Sequence, residues 1–362
     1  MKIKAVTTNL VRLPLEEPLA GAPPFTGMLR DFVTLQIVTD DGIEGIGITT
    51  FGGKLVRSLK AAVEDLAALT VGEDPQRTEL IIGKLRAAAA PCSTGIATLA
   101  LSAIDMALWD IRGKAAGVSV SHLLGGKRDS VPAYASGALI RTNSLADVER
   151  AAAVLIEKGY TQVKSQMGGD GMSPAQEIAR IRAIRKAVGP DVNLMVDINQ
   201  RWGVQEAIAI GQRIEDVGLG WIEDPTAPND YQGLARIAGA LGTPICAGEY
   251  VWGIEPFRQL FDHGSIDIAM IDLLRVGGVT QWMKVAGMAE AFNLPVATHL
   301  LPEIHCQLLA AIPNALVLEY MPWTWRLFDD PPKPVNGVMK VPTAPGFGLT
   351  FASDLFGTYG VG

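Results

Sequence analysis

Eight short apolar runs, separated by amphipathic segments, dominate the sequence between residues 132 and 319. They lie at 132–135, 161–166, 192–197, 220–223, 243–248, 266–272, 294–299 and 315–319. Short apolar runs bounded by turn residues read as buried strands. One intervening segment places Ile178, Ile181, Ile184 and Val188 on one helical face and stops at Gly189-Pro190, a helix with its terminator. Eight strand–helix repeats predict a (β/α)8 barrel. A doubly wound open sheet is the rival, and the evenness of the repeats favours closure.

The chain has 362 residues, more than the ~250–300 over which one core stops growing. The surplus is N-terminal. Residues 2–13, 31–39 and 43–50 read as an antiparallel meander, with Asp40-Asp41-Gly42 as a turn. Leu55, Leu59, Ala62, Leu66 and Leu69 follow at helical spacing, and 97–116 reads as a long apolar helix containing Asp105 and Trp109. Strands first and helices after predict an α+β domain over 1–130, with the barrel over 131–335. The tail 336–362 returns to strand-and-turn character and is expected to dock on the first domain. The Pro- and Gly-rich segment EEPLAGAPPFTGML is too long for a hairpin turn, and reads either as a binding loop or as a plain surface loop.

Apolar residues make up 48% of the chain, charged residues 19%, and the net charge is −7. This is a globular composition, and without a Lys/Arg run it fits neither a nucleic-acid partner nor an anionic membrane. An anionic substrate would need a metal or a few local cations. Cys92, Cys246 and Cys306 are scattered, which suits neither a disulfide framework nor a zinc site. No signal-peptide core and no run of 18 apolar residues is found, so a cytoplasmic location is expected.

Barrel enzymes place their sites at the C-terminal ends of the strands. Those ends read Lys164 and Gln166, Asp197, Glu223, Glu249, Asp272, His299 and Glu319. Asp197, Glu223 and Glu249 follow one another at 26-residue intervals. Three carboxylates in one mouth repel unless a cation joins them, and oxygen donors with open positions suit Mg²⁺. The alternative is that each acid caps the helix after it. Asp272 and His299 end neighbouring strands, where a carboxylate beside an imidazole makes a general base. His305, on the following helix, reads as structural.

The stretches VKSQMG (163–168), MVDINQ (195–200), WIEDPT (221–226), AGEY (247–250), IDLLRVGGVT (271–280), ATHLLPE (297–303) and LEY (318–320), with PTAPGFGL in the tail, resemble the enolase superfamily. Within it they resemble the mandelate racemase subgroup, over nearly the whole chain. The resemblance implies a (β/α)8 barrel with an N-terminal α+β capping domain. It implies Mg²⁺ on Asp197, Glu223 and Glu249, holding the carboxylate of a small-molecule substrate. His299, oriented by Asp272, would remove the α-proton on one face. Lys164 would offset the carboxylate's charge, and Glu319 would hydrogen-bond it from the other side. Asn199 would support the first metal ligand or touch substrate. The cap would contribute residues 16–31 and those near Phe51-Gly52-Gly53. Homo-oligomers, often octamers, go with the family.

One position departs from the pattern. The subgroup's Lys-x-Lys reads Lys164-Ser165-Gln166 here, and an amide cannot act as a base. A base on one face suffices to dehydrate an acid sugar or hydroxy diacid to a 2-keto acid, the expected reaction. A racemase, epimerase or lactone cycloisomerase using another residue opposite His299 is the alternative. A catalytically inactive, metal- and carboxylate-binding barrel is the third. Arg30 and Lys54 are charged lid candidates for a second carboxylate, with solvated surface the favoured reading of each.

Overall fold

The computed structural model describes residues 1–15, 19–21, 28–92 and 94–361, with Cys92 by its backbone alone. Much of the segment read as a binding or surface loop lies outside them. In the N-terminal domain β1 (Ile3–Pro14), β2 (Leu29–Thr39) and β3 (Glu44–Thr49) form an antiparallel sheet in sequence order. The β2–β3 turn needs Gly42, whose φ of +87° is open to glycine at little cost. The helix Ile96–Ala116 packs on this sheet, and fifteen of its residues are buried.

That contact depends on glycine. A Cβ at Gly47 would stand 1.9 Å from the Ala103 carbonyl oxygen, and one at Gly45 2.2 Å from that of Ala107. The same helix ties the domain to the barrel. Asp105 accepts from the Thr280 backbone N–H at 2.8 Å and its hydroxyl at 2.6 Å, and Trp109 Nε1 donates to the Thr280 hydroxyl at 2.9 Å.

Eight parallel strands follow: β4 (Ser130–Leu139), β5 (Gln162–Gln166), β6 (Asn193–Asp197), β7 (Ile222–Glu223), β8 (Ile245–Ala247), β9 (Ile268–Asp272), β10 (Val296–His299) and β11 (Ala315–Tyr320). They pair in order, and β11 returns to β4 through Leu318↔Ala133, Glu319↔Tyr134 and Tyr320↔Ala135. The barrel is therefore closed, and the open-sheet rival is excluded. Tyr134, Met195, Trp221, Cys246, Ile268, Met270, Ala297 and Val317 form a buried cluster of their own. Within it Tyr134 and Trp221 meet edge-on at 5.4 Å.

The tail serves both parts of the molecule. β12 (Val338–Lys340) pairs antiparallel with β4 of the barrel, which the expectation of docking on the first domain did not include. Beyond it, the Phe347 N–H donates to Asp110 at 2.9 Å and the Val361 N–H to the Leu10 carbonyl at 2.8 Å.

Candidate active site

The strand ends converge on one cavity of about 680 Å³. Its lining includes Lys164, Gln166, Asp197, Asn199, Glu249, His299 and Glu319 from the barrel, and Met28, Arg30 and Phe51 from the N-terminal domain. Register brings these side chains together. Gln166 lies opposite Asp197, Asp197 opposite Glu223, and His299 opposite Asp272. Phe51, Asn199, Gln200, Asp224, Leu300 and Leu301 all have positive φ. Non-glycine residues adopt that conformation at a cost of order 1–3 kcal/mol each, and such strain gathers at functional sites.

His299 and Asp272 form a dyad. Imidazole Nδ1 lies 2.6 Å from Asp272 Oδ2, and Nε2 lies 3.2 Å from Glu249 Oε2. Burial works against the imidazolium, but Glu249 and Asp272 outweigh it, so the pKa of His299 is raised. Asp272 also accepts the Arg275 backbone N–H at 2.6 Å, capping the short helix Leu273–Val276. Burial acts to raise the Asp272 pKa, yet its bond to His299 and the charge of Arg275 hold it below the usual carboxylate value.

Lys164 is enclosed. Its ammonium lies 2.6 Å from Glu223 Oε1 and 2.9 Å from Glu319 Oε1. Burial disfavours the charge, but these two acids raise its pKa well above the usual value. Glu319 is correspondingly held down at about 2, Lys164 overcoming the effect of burial, and its Oε2 accepts the Leu300 N–H at 2.7 Å.

The acids form a cluster whose membership differs from the expected trio. Among the described residues, Glu223, Asp224 and Glu249 are the three whose carboxylate oxygens come within 4.8 Å of one another. Asp197 is buried beside them, but its carboxylate accepts from the side chain and backbone N–H of Asn199 at 2.7 and 2.8 Å. Burial, with Glu249 adding to it and Lys164 opposing, pushes the Asp197 pKa up to about 6. Asp224 is fully buried, and neither of its oxygens has a hydrogen-bond partner. Burial raises its pKa well above the ordinary value, and Glu249 and Asp197 add to the effect. A buried carboxylate without a partner, among others that repel it, is the environment a divalent cation relieves. The donors fit such an ion. Helix capping does not account for the expected trio, because the three following helices are capped by Gly203, Asp230 and Ile254.

Asn199 is fully engaged. Its side-chain amide donates to Asp197 and, at 3.1 Å, to the Tyr250 hydroxyl, while its oxygen accepts from Arg141. His305 is buried, with Nδ1 2.6 Å from the Leu300 carbonyl, and burial pushes its pKa down to about 4. Lys54 is exposed. Arg30, expected at a solvated surface, instead enters the cavity and lies over the Trp323 ring at 3.7 Å. Asp224 had one visible signal, the acidic doublet Glu223-Asp224 before Pro225. Its inward aim is set by a φ of +38°, which no periodicity reveals.

Residues 146–355 match the family model of the enolase C-terminal domain-like fold. Residues 6–125 match the N-terminal domain of mandelate racemase and muconate lactonizing enzyme. The chain is 33% identical to the L-talarate/galactarate dehydratase of Salmonella typhimurium, over 98% of this chain and 90% of the relative. It is 32% identical to the D-galactarolactone cycloisomerase of Agrobacterium fabrum, over 98% and 97%. The crystal structure of L-talarate dehydratase from Polaromonas sp. JS666, complexed with Mg and L-glucarate, superposes with a TM-score of 0.90 at 33% identity, covering 100% of this chain and 98% of that one.

Proposed function

Because the chain belongs to the mandelate racemase/muconate lactonizing enzyme family of the enolase superfamily, we propose that it is a Mg²⁺-dependent dehydratase converting an acid sugar to a 2-keto acid. The observation that carries this reading is a single imidazole base among the described residues of the cavity. His299 is oriented by Asp272, while the cavity offers Gln166 in place of a second lysine. Lys164 is no free second base here, since its ammonium is ion-paired to Glu223 and Glu319.

Asp197, Glu223 and Glu249 would hold Mg²⁺, with Asp224, which clusters with Glu223 and Glu249, beside them. When bound, the ion supplies positive charge where the substrate carboxylate becomes electron-rich. Lys164 sits beside that carboxylate and offsets its charge, and Glu319 borders it from the other side and orients Lys164. His299 Nε2 takes the α-proton, and Asp272 holds the ring by its Nδ1–H. The electron pair of the broken Cα–H bond forms the Cα–Cβ double bond of an enol. The β-hydroxyl leaves with the proton His299 returns, so water departs and the base is regenerated. The enol then tautomerises to the 2-keto acid. Asn199, with all its groups engaged, orients Asp197, and the Gln166 amide remains for a substrate hydroxyl.

Incubation of the Mg²⁺-loaded protein with a panel of acid sugars, followed by detection of 2-keto acid, tests this reading. If no acid yields keto acid, it is wrong. The same dyad would serve a lactone cycloisomerase, in which a ring oxygen leaves in place of hydroxide, and the cycloisomerase relative favours this as second reading. Lactone consumption without keto-acid formation distinguishes it. A homo-oligomer, with an octamer as the form to test, goes with family membership and is read by light scattering.

A further inference from the structure

Four arginines reach the cavity: Arg30, Arg141, Arg201 and Arg275. Three have polar partners. Arg141 donates to Asn199, Arg201 to Asp170 and to the Gly168 carbonyl at 3.0 Å, and Arg275 to the Glu249 carbonyl at 2.6 Å. Arg30 differs. It comes from β2 of the N-terminal domain, and its guanidinium carbon lies over the Trp323 ring, 3.7 Å from the centroid. No hydrogen bond or ion pair to it is found among the described residues. Burial, reinforced by the positive charge of Arg275, brings its pKa down to about 10.

Arg275 is fixed in turn by aromatic faces, over Phe51 at 4.0 Å and Tyr250 at 4.9 Å. Two desolvated cations thus face the same space, one from each domain, and only one is partnered. An unpaired, half-buried guanidinium beside a second cation is costly. A carboxylate between them removes the cost. The planar fork of arginine matches it in bidentate fashion, and contact with the Trp323 ring holds the guanidinium in place beforehand. At about 680 Å³ the cavity is of the size that takes a small ligand whole.

We propose that Arg30, supported by the charge of Arg275, binds a second, distal carboxylate of the substrate, so that the acid sugar is a dicarboxylic (aldaric) acid. This rests on the dehydratase reading for the position of the first carboxylate, which lies between the acid cluster and Lys164. Arg30 then determines specificity and takes no part in proton transfer.

The test separates binding from turnover. Isothermal titration of the Mg²⁺-loaded His299→Asn protein is performed with two pairs of probes, galactarate against galactonate and glucarate against gluconate. The members of each pair differ in one terminal carboxylate. In at least one pair the diacid is expected to bind about tenfold or more tighter, an advantage of the size one charge-assisted bidentate contact supplies. Adding Arg30→Met should abolish that preference while leaving monoacid affinity within about twofold. Arg30→Lys, which keeps the charge without the fork, should retain part of it. Equal affinity for both members of each pair, binding of neither, or a preference that survives Arg30→Met overturns the inference. The comparison of diacid with monoacid stands even if the Arg30 variants do not fold. Keto-acid formation by the unmodified enzyme tests the dehydratase reading separately. Turnover without diacid preference sinks the inference alone, and Arg30-dependent diacid binding without dehydration sinks only the reaction.

Discussion

The imidazole of His299 lies parallel to the ring of Phe51, with 6.2 Å between centroids and 10° between planes, although the two residues belong to different domains. Asp272 holds the imidazole edge while Phe51 stands parallel to its plane. Replacing His299 by Asn is expected to lower kcat by about 10³-fold or more, the scale of a positioned general base. Asp272→Asn should cost less, since imidazole survives and the side chain can still cap the helix Leu273–Val276. Mg²⁺ affinity, measured by titration calorimetry, should stay within a few-fold in both. Near-normal turnover in His299→Asn would show that another residue is the base.

Metal addition should stabilise the fold. Asp197, Glu223, Asp224 and Glu249 are all buried, and their mutual repulsion is relieved by a cation. At Mg²⁺ a hundredfold above its Kd the gain is about 2.7 kcal/mol. The melting temperature should rise with Mg²⁺ concentration and fall again with chelator. A melting curve indifferent to both would contradict the metal site.

Gln166 makes a stereochemical prediction. With a base on one face only, a substrate that enolises slowly without losing water should exchange its α-proton for deuterium with retention. Proton NMR and polarimetry of acid recovered from D₂O check this. Inverted material would reveal a second base and favour an isomerase.

Glu303 gives the stability curve a pH dependence. It is buried, accepts a hydrogen bond from the Thr324 hydroxyl at 2.7 Å, and is pushed up to about 7 from 4.5, burial being the main cause. The folded state therefore holds its proton more tightly than the unfolded chain. The stability this contributes is complete below pH 4.5 and is lost as pH rises through about 7. Glu303→Gln keeps the acceptor without the charge, so its advantage over the unmodified protein should grow by about 3 kcal/mol between pH 4 and pH 8. Urea denaturation at both pH values measures it, and a difference that does not change with pH would refute the assignment.

Two glycines should respond in opposite directions to alanine. At Gly47 the new methyl would meet the backbone of Ala103, and a loss of about 3 kcal/mol is expected. At Gly83, inside the helix Thr78–Ala88, it meets nothing within 4 Å. A gain of up to about 1 kcal/mol is expected there from helix propensity. Thermal melting of both variants decides.

The closed barrel was legible because each strand is an apolar run with a change of character at its end, so Asp197, Asp272 and His299 could be placed by reading along the chain. β4 ran beyond its expected end at 135, to Leu139, because Ser136 and Gly137 break the apolar signal although Ser136 is buried. Asp224 and Arg30 were hidden for a different reason. The direction of Asp224 comes from its backbone dihedral, and the burial of Arg30 comes from Trp323, nearly three hundred residues away. Local pattern carries neither kind of information.

The Asp105–Thr280–Trp109 contacts also have a kinetic consequence. They rivet the long N-terminal helix to the barrel, so the two domains cannot part like jaws without breaking buried hydrogen bonds. Opening the cap as one rigid body is thereby made slow, and movement confined to its rim is the cheaper way in and out. The same contacts keep Phe51 and Arg30, both carried by the N-terminal domain, in set positions on the cavity wall, so that domain serves as part of the wall rather than as a door.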